Sequence, residues 1–252
     1  MQRRTILVAV IMAVGLLVTS LAQAGDINLS AAASTREAMM EIIKGFGKVQ
    51  PDARVRTNFG ASGALAKQTV QGAPTDIFLS ANDKWVDYVV REGKAEGRNR
   101  GVFAYNKLVF VGKQGGAVKS LADLKGLQRI ALGTPASVPA GQYAEQAMRT
   151  AGVYEELHQA NKLVMAQDVR QALLYADRGE VDGAFVYRTD AMLAREAAVL
   201  FEVPDGLYDR VAYPMVITAA GAAKAEARAF YSYLAGPEAG EILKKFGFVT
   251  EK

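Results

Sequence analysis

Ile27-Asn-Leu-Ser-Ala31, then Ser34-Thr-Arg-Glu37, then Ala38, Met39, Ile42, Ile43 and Phe46: this stretch decides the fold. The first run is short and mostly apolar, as a strand is. Ser34 and Glu37 are spaced as a capping box, which marks a helix start. The apolar residues behind them recur at helical spacing. A strand that gives way to a helix after three residues is the building unit of a parallel sheet. The same grammar repeats twice, with strands at 54–59 and 76–80 and helices at 64–70 and 83–92.

Beyond residue 100 the pattern starts again. Residues 102–111 read as a long strand that crosses to a second unit. Helices are expected at 121–125, 140–151 and 169–178, and strands at 129–132, 163–165 and 183–186, with 200–203 as one more. Gly133 and Gly179 sit where elements stop. Residues 211–218 read as the return crossing. Helices 222–234 and 238–246, split by Gly236-Pro237, are expected to pack back on the first unit. The predicted fold is α/β and two-lobed, each lobe a mainly parallel sheet flanked by helices, with a ligand cleft between them. Lobe 1 comprises residues 25–104 and 213–252, and lobe 2 residues 105–212.

Residues 1–24 read as a secretory signal peptide: Arg3 and Arg4 lead an apolar stretch at 6–18, and Ala22-Gln-Ala24 suits the peptidase. The competing reading, an N-terminal membrane anchor, meets an apolar run that is short for a span of about 20 residues. Gly25 follows the expected cut and the chain has no cysteine, so no lipid-bearing cysteine starts the mature chain. A periplasmic protein is expected, stabilised by packing rather than by disulfides. Cleavage also removes two of the positive charges behind the formal net charge of +4. No basic cluster with interleaved aromatics is present, which argues against nucleic acid as a partner.

Enzyme chemistry finds little support. One histidine and no cysteine leave no basis for zinc or Cys–His catalysis. Gly60-Ala-Ser-Gly63 misses the nucleophile-elbow pattern because residue 64 is Ala. His158 lies far away in sequence, on an expected exposed loop or helix. A secreted hydrolase is therefore the weakest of the readings.

Five positions stand where strands should end: Ser34, Ser62, Ala140, Val169 and Tyr187. In open α/β sheets, ligands lie at the carboxyl ends of strands. Each position also has a plain structural reading. Ser34 is placed to cap a helix, Ser62 to make a turn between glycines, and Tyr187 to be a core tyrosine with a buried hydroxyl. Pro139 suits the first turn of a helix and directs the N–H of Ala140 outward. Asp168 suits an N-cap, with its carboxylate turned from the cleft. Arg36 and Arg170 fall inside helix starts, in solvated or structural roles. Together the five offer hydroxyls and helix N-terminal N–H groups, the donors that bind anions.

The chain resembles the periplasmic molybdate-binding proteins of ABC importers along essentially all of its mature length. The matching segments include Ala31-Ala-Ala-Ser34, Phe59-Gly-Ala-Ser-Gly63, Gly72-Ala-Pro-Thr-Asp-Ile-Phe78, Lys84-Trp85, Val138-Pro-Ala-Gly141, Asp168-Val-Arg170, Val186-Tyr187, Tyr213-Pro214 and Phe246-Gly-Phe248. The resemblance implies that Ser34, Ser62, Ala140, Val169 and Tyr187 hold molybdate or tungstate. The serines and tyrosine would act through hydroxyls, and Ala140 and Val169 through backbone N–H. It implies no cofactor, no metal coordinated by side chains (molybdenum arriving as its oxyanion), delivery to a membrane ABC permease with its ATPase, and a monomer. Another oxyanion such as sulfate is the alternative ligand. Related chains often carry further serines around the second loop, where this one has Gly60, Ala61 and Gly63.

Overall fold

The structure, a computed structural model, describes residues 25–115 and 117–250. The expected signal peptide lies outside the described residues. The strands are β1 (Asp26–Ala32), β2 (Arg54–Gly60), β3 (Ile77–Leu79), β4 (Ala95–Asn106), β5 (Leu108–Lys113), β6 (Ile130–Gly133), β7 (Leu163–Ala166), β8 (Gly183–Tyr187), β9 (Ala197–Glu202) and β10 (Val211–Thr218). The α-helices are α1 (Arg36–Val49), α2 (Ser62–Val70), α3 (Asp83–Arg91), α4 (Pro139–Thr150), α5 (Tyr154–Gln159), α6 (Val169–Asp177), α7 (Arg188–Ala191), α8 (Ala219–Ala222), α9 (Ala225–Leu234) and α10 (Pro237–Lys245).

The strands form two five-stranded sheets, ordered β2-β1-β3-β10-β4 and β7-β6-β8-β5-β9. In the first, β1 runs parallel to β2 and β3, and β10 antiparallel to β3 and β4. The second repeats this plan: β6 is parallel to β7 and β8, and β5 antiparallel to β8 and β9. Each lobe is thus three parallel strands closed by an antiparallel pair. In each, the strand next to the parallel set is the first one built as the chain arrives from the other sheet.

Burial explains the patterns. Ile77, Phe78 and Leu79 of β3 are fully buried, as a strand covered on both faces must be. The edge strand β2 carries Arg54, Arg56, Thr57 and Asn58 at its margin, which discourages pairing with another chain. Helix α1 buries Ala38, Met39, Ile42 and Phe46. Phe46 meets Phe230 and Tyr233 of α9 at ring distances of 4.8 and 5.4 Å. The C-terminal segment therefore packs on the first lobe, where Val249 also bridges to Tyr105.

Four expectations change. Ser34 does not cap a helix. It sits inside a 3-10 turn, Ala33–Thr35, that runs into α1. The capping box does not form, because the Glu37 carboxylate is taken by Arg170, and a charge pair outbids a backbone N–H. Residues 211–218 are not a crossing: β10 lies wholly in the first sheet between β3 and β4, and the chain returns through residues 203–210. A strand buried on both faces carries the same apolar run as a crossing does. The long strand expected at 102–111 is two strands. Asn106 Oδ1 accepts the N–H of Lys107 at 2.9 Å and turns the chain between sheets. Finally, the helix expected at 121–125 is a 3-10 helix, Leu121–Gly126.

Candidate functional site

The carboxyl ends of β1, β2, β6, β7 and β8 converge on one cavity between the two sheets. It is lined by the chain around Ser34, by Gly60 to Ser62, by Ala81, by Val138 to Ala140, by Asp168 and Val169, and by Tyr187. All five positions singled out in the sequence are on its wall. The space it encloses is about 10 Å³, room for little more than one water-sized centre, far below the roughly 300–1,000 Å³ that houses drug-sized ligands. This space suits a small inorganic ion and not a sugar or a peptide. No lysine or arginine lines it.

Each donor is held differently. Ser34 is buried, and its Oγ lies 2.9 Å from the hydroxyl of Tyr213 on β10. Ser62 opens α2, and its Oγ accepts the N–H of Ala81 at 3.0 Å. Ala140 is the second residue of α4 behind Pro139, where the N–H has no intrahelical acceptor. The close approach of α4 to β6 needs glycine at 141, since a Cβ there would fall 1.6 Å from the Gly133 carbonyl oxygen. Asp168 lines the cavity, but its carboxylate is turned on its own helix: Oδ1 accepts from Arg170 N at 2.8 Å and Gln171 N at 3.0 Å. The N–H of Val169, first residue of α6, is left for another acceptor. Tyr187 is 1% exposed and its hydroxyl has no hydrogen-bond partner among the described residues. Burial drives the Tyr187 hydroxyl well above its ordinary pKa, so it stays a donor.

The lobes are shut on this cavity. Gly63 N donates to Ser137 O across the cleft at 2.9 Å, and Tyr143 hydroxyl to Ala81 O at 3.3 Å. Asn82 Nδ2 donates to Gln142 Oε1 at 2.5 Å. Arg170 reaches from α6 to the carboxylate of Glu37 and the carbonyl of Ser34, both in the first lobe. It also pairs with buried Asp190 at 2.8 Å, without an aligned hydrogen bond. Burial raises Asp190 to about 6, against the opposing pull of Arg170. Arg170 thus has the structural one of its two expected roles, and Arg36 stacks on Phe59 at 4.6 Å. The tight seam also explains the missing serine near Ser62. A Cβ on Gly63 would stand 2.4 Å from the Trp85 ring and 2.7 Å from Ser137 O.

Sequence reasoning missed what stands behind the donors: Tyr213 behind Ser34, and the Arg170–Glu37 contact across the cleft. Tyr213-Pro214 was in view only as part of the resemblance, and Glu37 had a local role that hid its distant one. His158 lies exposed on α5, stacked on Tyr154, and is not part of the cavity wall. Among the described residues, no group of three or more His, Cys, Asp or Glu is placed to hold a metal ion. No described helix is long and apolar enough to cross a membrane.

A family model described as bacterial extracellular solute-binding protein matches residues 27–249. The chain belongs to this family. It is 36% identical over 240 residues to the molybdate-binding protein ModA of Escherichia coli (strain K12), covering 92% of each chain. It is 34% identical over 227 residues to the ABC transporter substrate-binding lipoprotein YvgL of Bacillus subtilis (strain 168), covering 89% of this chain and 86% of that one. Among solved structures, the periplasmic molybdate-binding protein of Azotobacter vinelandii aligns with a TM-score of 0.81 at 27% identity, over 90% of this chain and 100% of that one. The two-lobed architecture is shared with that structure.

Proposed function

We propose that this protein captures molybdate, and tungstate in the same way, through Ser34, Ser62, Ala140, Val169 and Tyr187. It then delivers the anion to a membrane ABC permease driven by its ATPase. The observation that carries this reading is the small cavity at the shut seam between the lobes, lined by neutral donors from five strand ends and by no basic side chain. Burying a dianion without a counter-charge is costly. Hydrogen bonds to a charged group, worth about 1.5–3 kcal/mol each, offset that cost. The N-termini of α2, α4 and α6 add positive potential. The relatives named above support molybdate as the cargo.

A wall of donors also discriminates by protonation. A hydrogen phosphate would point its own proton at a donor, whereas molybdate presents four acceptor oxygens. Sulfate matches in charge but is smaller, so its bonds to a rigid wall would be long. In this reading the protein is not an enzyme and needs no cofactor. It works in the periplasm as a monomer after cleavage behind Ala24. Its lobes are residues 25–104 with 213–252, and residues 105–212. In the first sheet, β4 ends at Asn106 and β10 starts at Val211, each two residues to the second-lobe side of those boundaries.

The test is calorimetric titration of the mature chain with molybdate, then tungstate, with sulfate as competitor. One-to-one molybdate binding that excess sulfate does not displace is expected. Displacement by sulfate would make this a general oxyanion receptor, and no binding by a folded protein would overturn the reading.

A further inference from the structure

Whether Ser34 gives or takes a proton in the cavity is decided outside the cavity, at the point where the chain passes between lobes. The backbone N–H of Lys107 can only donate, and it lies 2.9 Å from Asn106 Oδ1. That contact fixes the amide: Nδ2 faces the other way, 2.9 Å from Thr189 Oγ1 and 3.3 Å from the Tyr213 hydroxyl. An amide NH2 has two protons and no lone pair to offer, so it donates to both. Tyr213 is fully buried, and its oxygen is occupied as an acceptor by Asn106. Its own proton goes to the one acceptor within reach among the described residues, Ser34 Oγ at 2.9 Å. Ser34 then receives from behind, and its hydroxyl proton is left to point into the cavity.

Resting on the functional reading above, we infer that Asn106 and Tyr213 are positioning residues that set the polarity of Ser34, and through it the preference for a fully deprotonated tetrahedral oxyanion. The chain of donation runs Lys107 N–H to Asn106, Asn106 to Tyr213, Tyr213 to Ser34 and Ser34 to the anion. Ser62 is set in the same sense by a shorter route, since the N–H of Ala81 can only donate to its Oγ. A serine with a free lone pair could rotate and accept a proton from a protonated ligand. In these two the donor behind the oxygen occupies one of its two lone pairs and biases the hydroxyl proton toward the cavity, so presenting the other lone pair to a ligand is disfavoured. Asn106 also donates to Thr189 on α7 of the second lobe, so the relay is anchored across the lobe junction.

The test compares molybdate with arsenate, which retains one proton in mildly alkaline buffer, by calorimetry on the mature chain. Tyr213→Phe keeps the ring that packs on Tyr187 at 5.8 Å and on Phe248 at 5.4 Å; it removes the proton passed to Ser34 and the longer of the two acceptors of Asn106 Nδ2, which keeps Thr189. Molybdate is expected to weaken about tenfold while arsenate holds or gains, so the ratio of the two affinities falls by about tenfold or more. Asn106→Asp replaces the donating amide by an acceptor, draws the Tyr213 proton away from Ser34, and is expected to weaken molybdate further. In the Ser34→Ala background, Tyr213→Phe is expected to cost nothing more, because it acts through Ser34. Equal loss of both anions in Tyr213→Phe, or an undiminished loss in the Ser34→Ala background, overturns the relay and leaves the functional reading intact. A wild-type protein that binds no molybdate overturns both. Thermal melts run in parallel verify that each variant is folded.

Discussion

The two halves of the cavity hold their donors in different ways. In the first lobe, Ser34 and Ser62 are each gripped from behind by another donor, Tyr213 and Ala81 N. In the second lobe the donors are the first N–H groups of α4 and α6 and a Tyr187 hydroxyl with no partner. In the first half each hydroxyl oxygen is already held from behind without a ligand, and only its proton waits for an acceptor. The second carries polar groups that are satisfied only when an acceptor arrives, and an unsatisfied buried donor costs about 1–3 kcal/mol. Closure on an anion therefore relieves the second lobe more than the first, while the first fixes the orientation of its donors beforehand. Arg170 is the charged side chain that joins the halves, beside the neutral contacts of Tyr143 with Ala81 and of Asn82 with Gln142.

Removing that side chain should have the largest effect. Arg170→Ala strands Asp190, which is wholly buried, and frees Glu37 and the Ser34 carbonyl from the second lobe. Breaking a buried pair from one side costs about 3–5 kcal/mol. The loss should appear in urea unfolding, together with weaker anion binding because the shut state has lost its charged cross-lobe contact. Asp190→Asn added to Arg170→Ala should recover much of the stability and none of the cross-lobe contact, separating the two roles.

Asp190 also predicts a pH dependence. Its folded value of about 6 lies above the ordinary 3.8 because burial penalises the charged form. Between those values the folded protein holds a proton that the unfolded chain has lost. Stability is therefore lowest above about pH 6 and rises as the pH falls through that window, by up to about 3 kcal/mol from this group. Unfolding curves from about pH 7 down to about pH 4 should show the rise in the wild type. Asp190→Asn should flatten it. An unchanged slope would assign it to other groups.

The same contrast shows what the sequence could reveal. Strand-to-helix alternation and the five strand-end positions were legible, because they depend on local periodicity and on residues next to each other in the chain. The Asn106–Tyr213–Ser34 connection was not, since it joins residues 107 and 179 positions apart. Ser34 and Glu37 misled for a related reason. Their spacing is that of a capping box, and only the arrival of Arg170 from the other lobe takes Glu37 out of it. Residues 211–218 looked like a crossing because apolar residues do not reveal which sheet buries them. What local pattern encodes could be read, and what tertiary pairing decides could not.

Two substitutions sharpen the comparison between the halves. Val169→Pro removes one N–H of the second lobe and little else. The position is the first of α6, where proline is well tolerated, and Asp168 before it is already extended at φ −152°, ψ 178°. Molybdate affinity should fall by about 1.5–3 kcal/mol, with unfolding stability of the ligand-free protein close to wild type. Ser34→Ala in the first lobe should lower both quantities, because it also leaves the Tyr213 hydroxyl without an acceptor.

Tyr187→Phe gives the smallest effect and the cleanest sign. The hydroxyl is buried with no partner among the described residues, so the ligand-free protein gains nothing from it. Replacing it with hydrogen removes an unsatisfied group and should leave stability equal to or above wild type, while molybdate binding weakens by about 1.5 kcal/mol, roughly tenfold. Stability and affinity thus move apart in the second lobe and together in the first. If Tyr187→Phe lowered stability as Ser34→Ala does, the hydroxyl would have a partner within the protein. The two halves of the cavity would then be prepared alike.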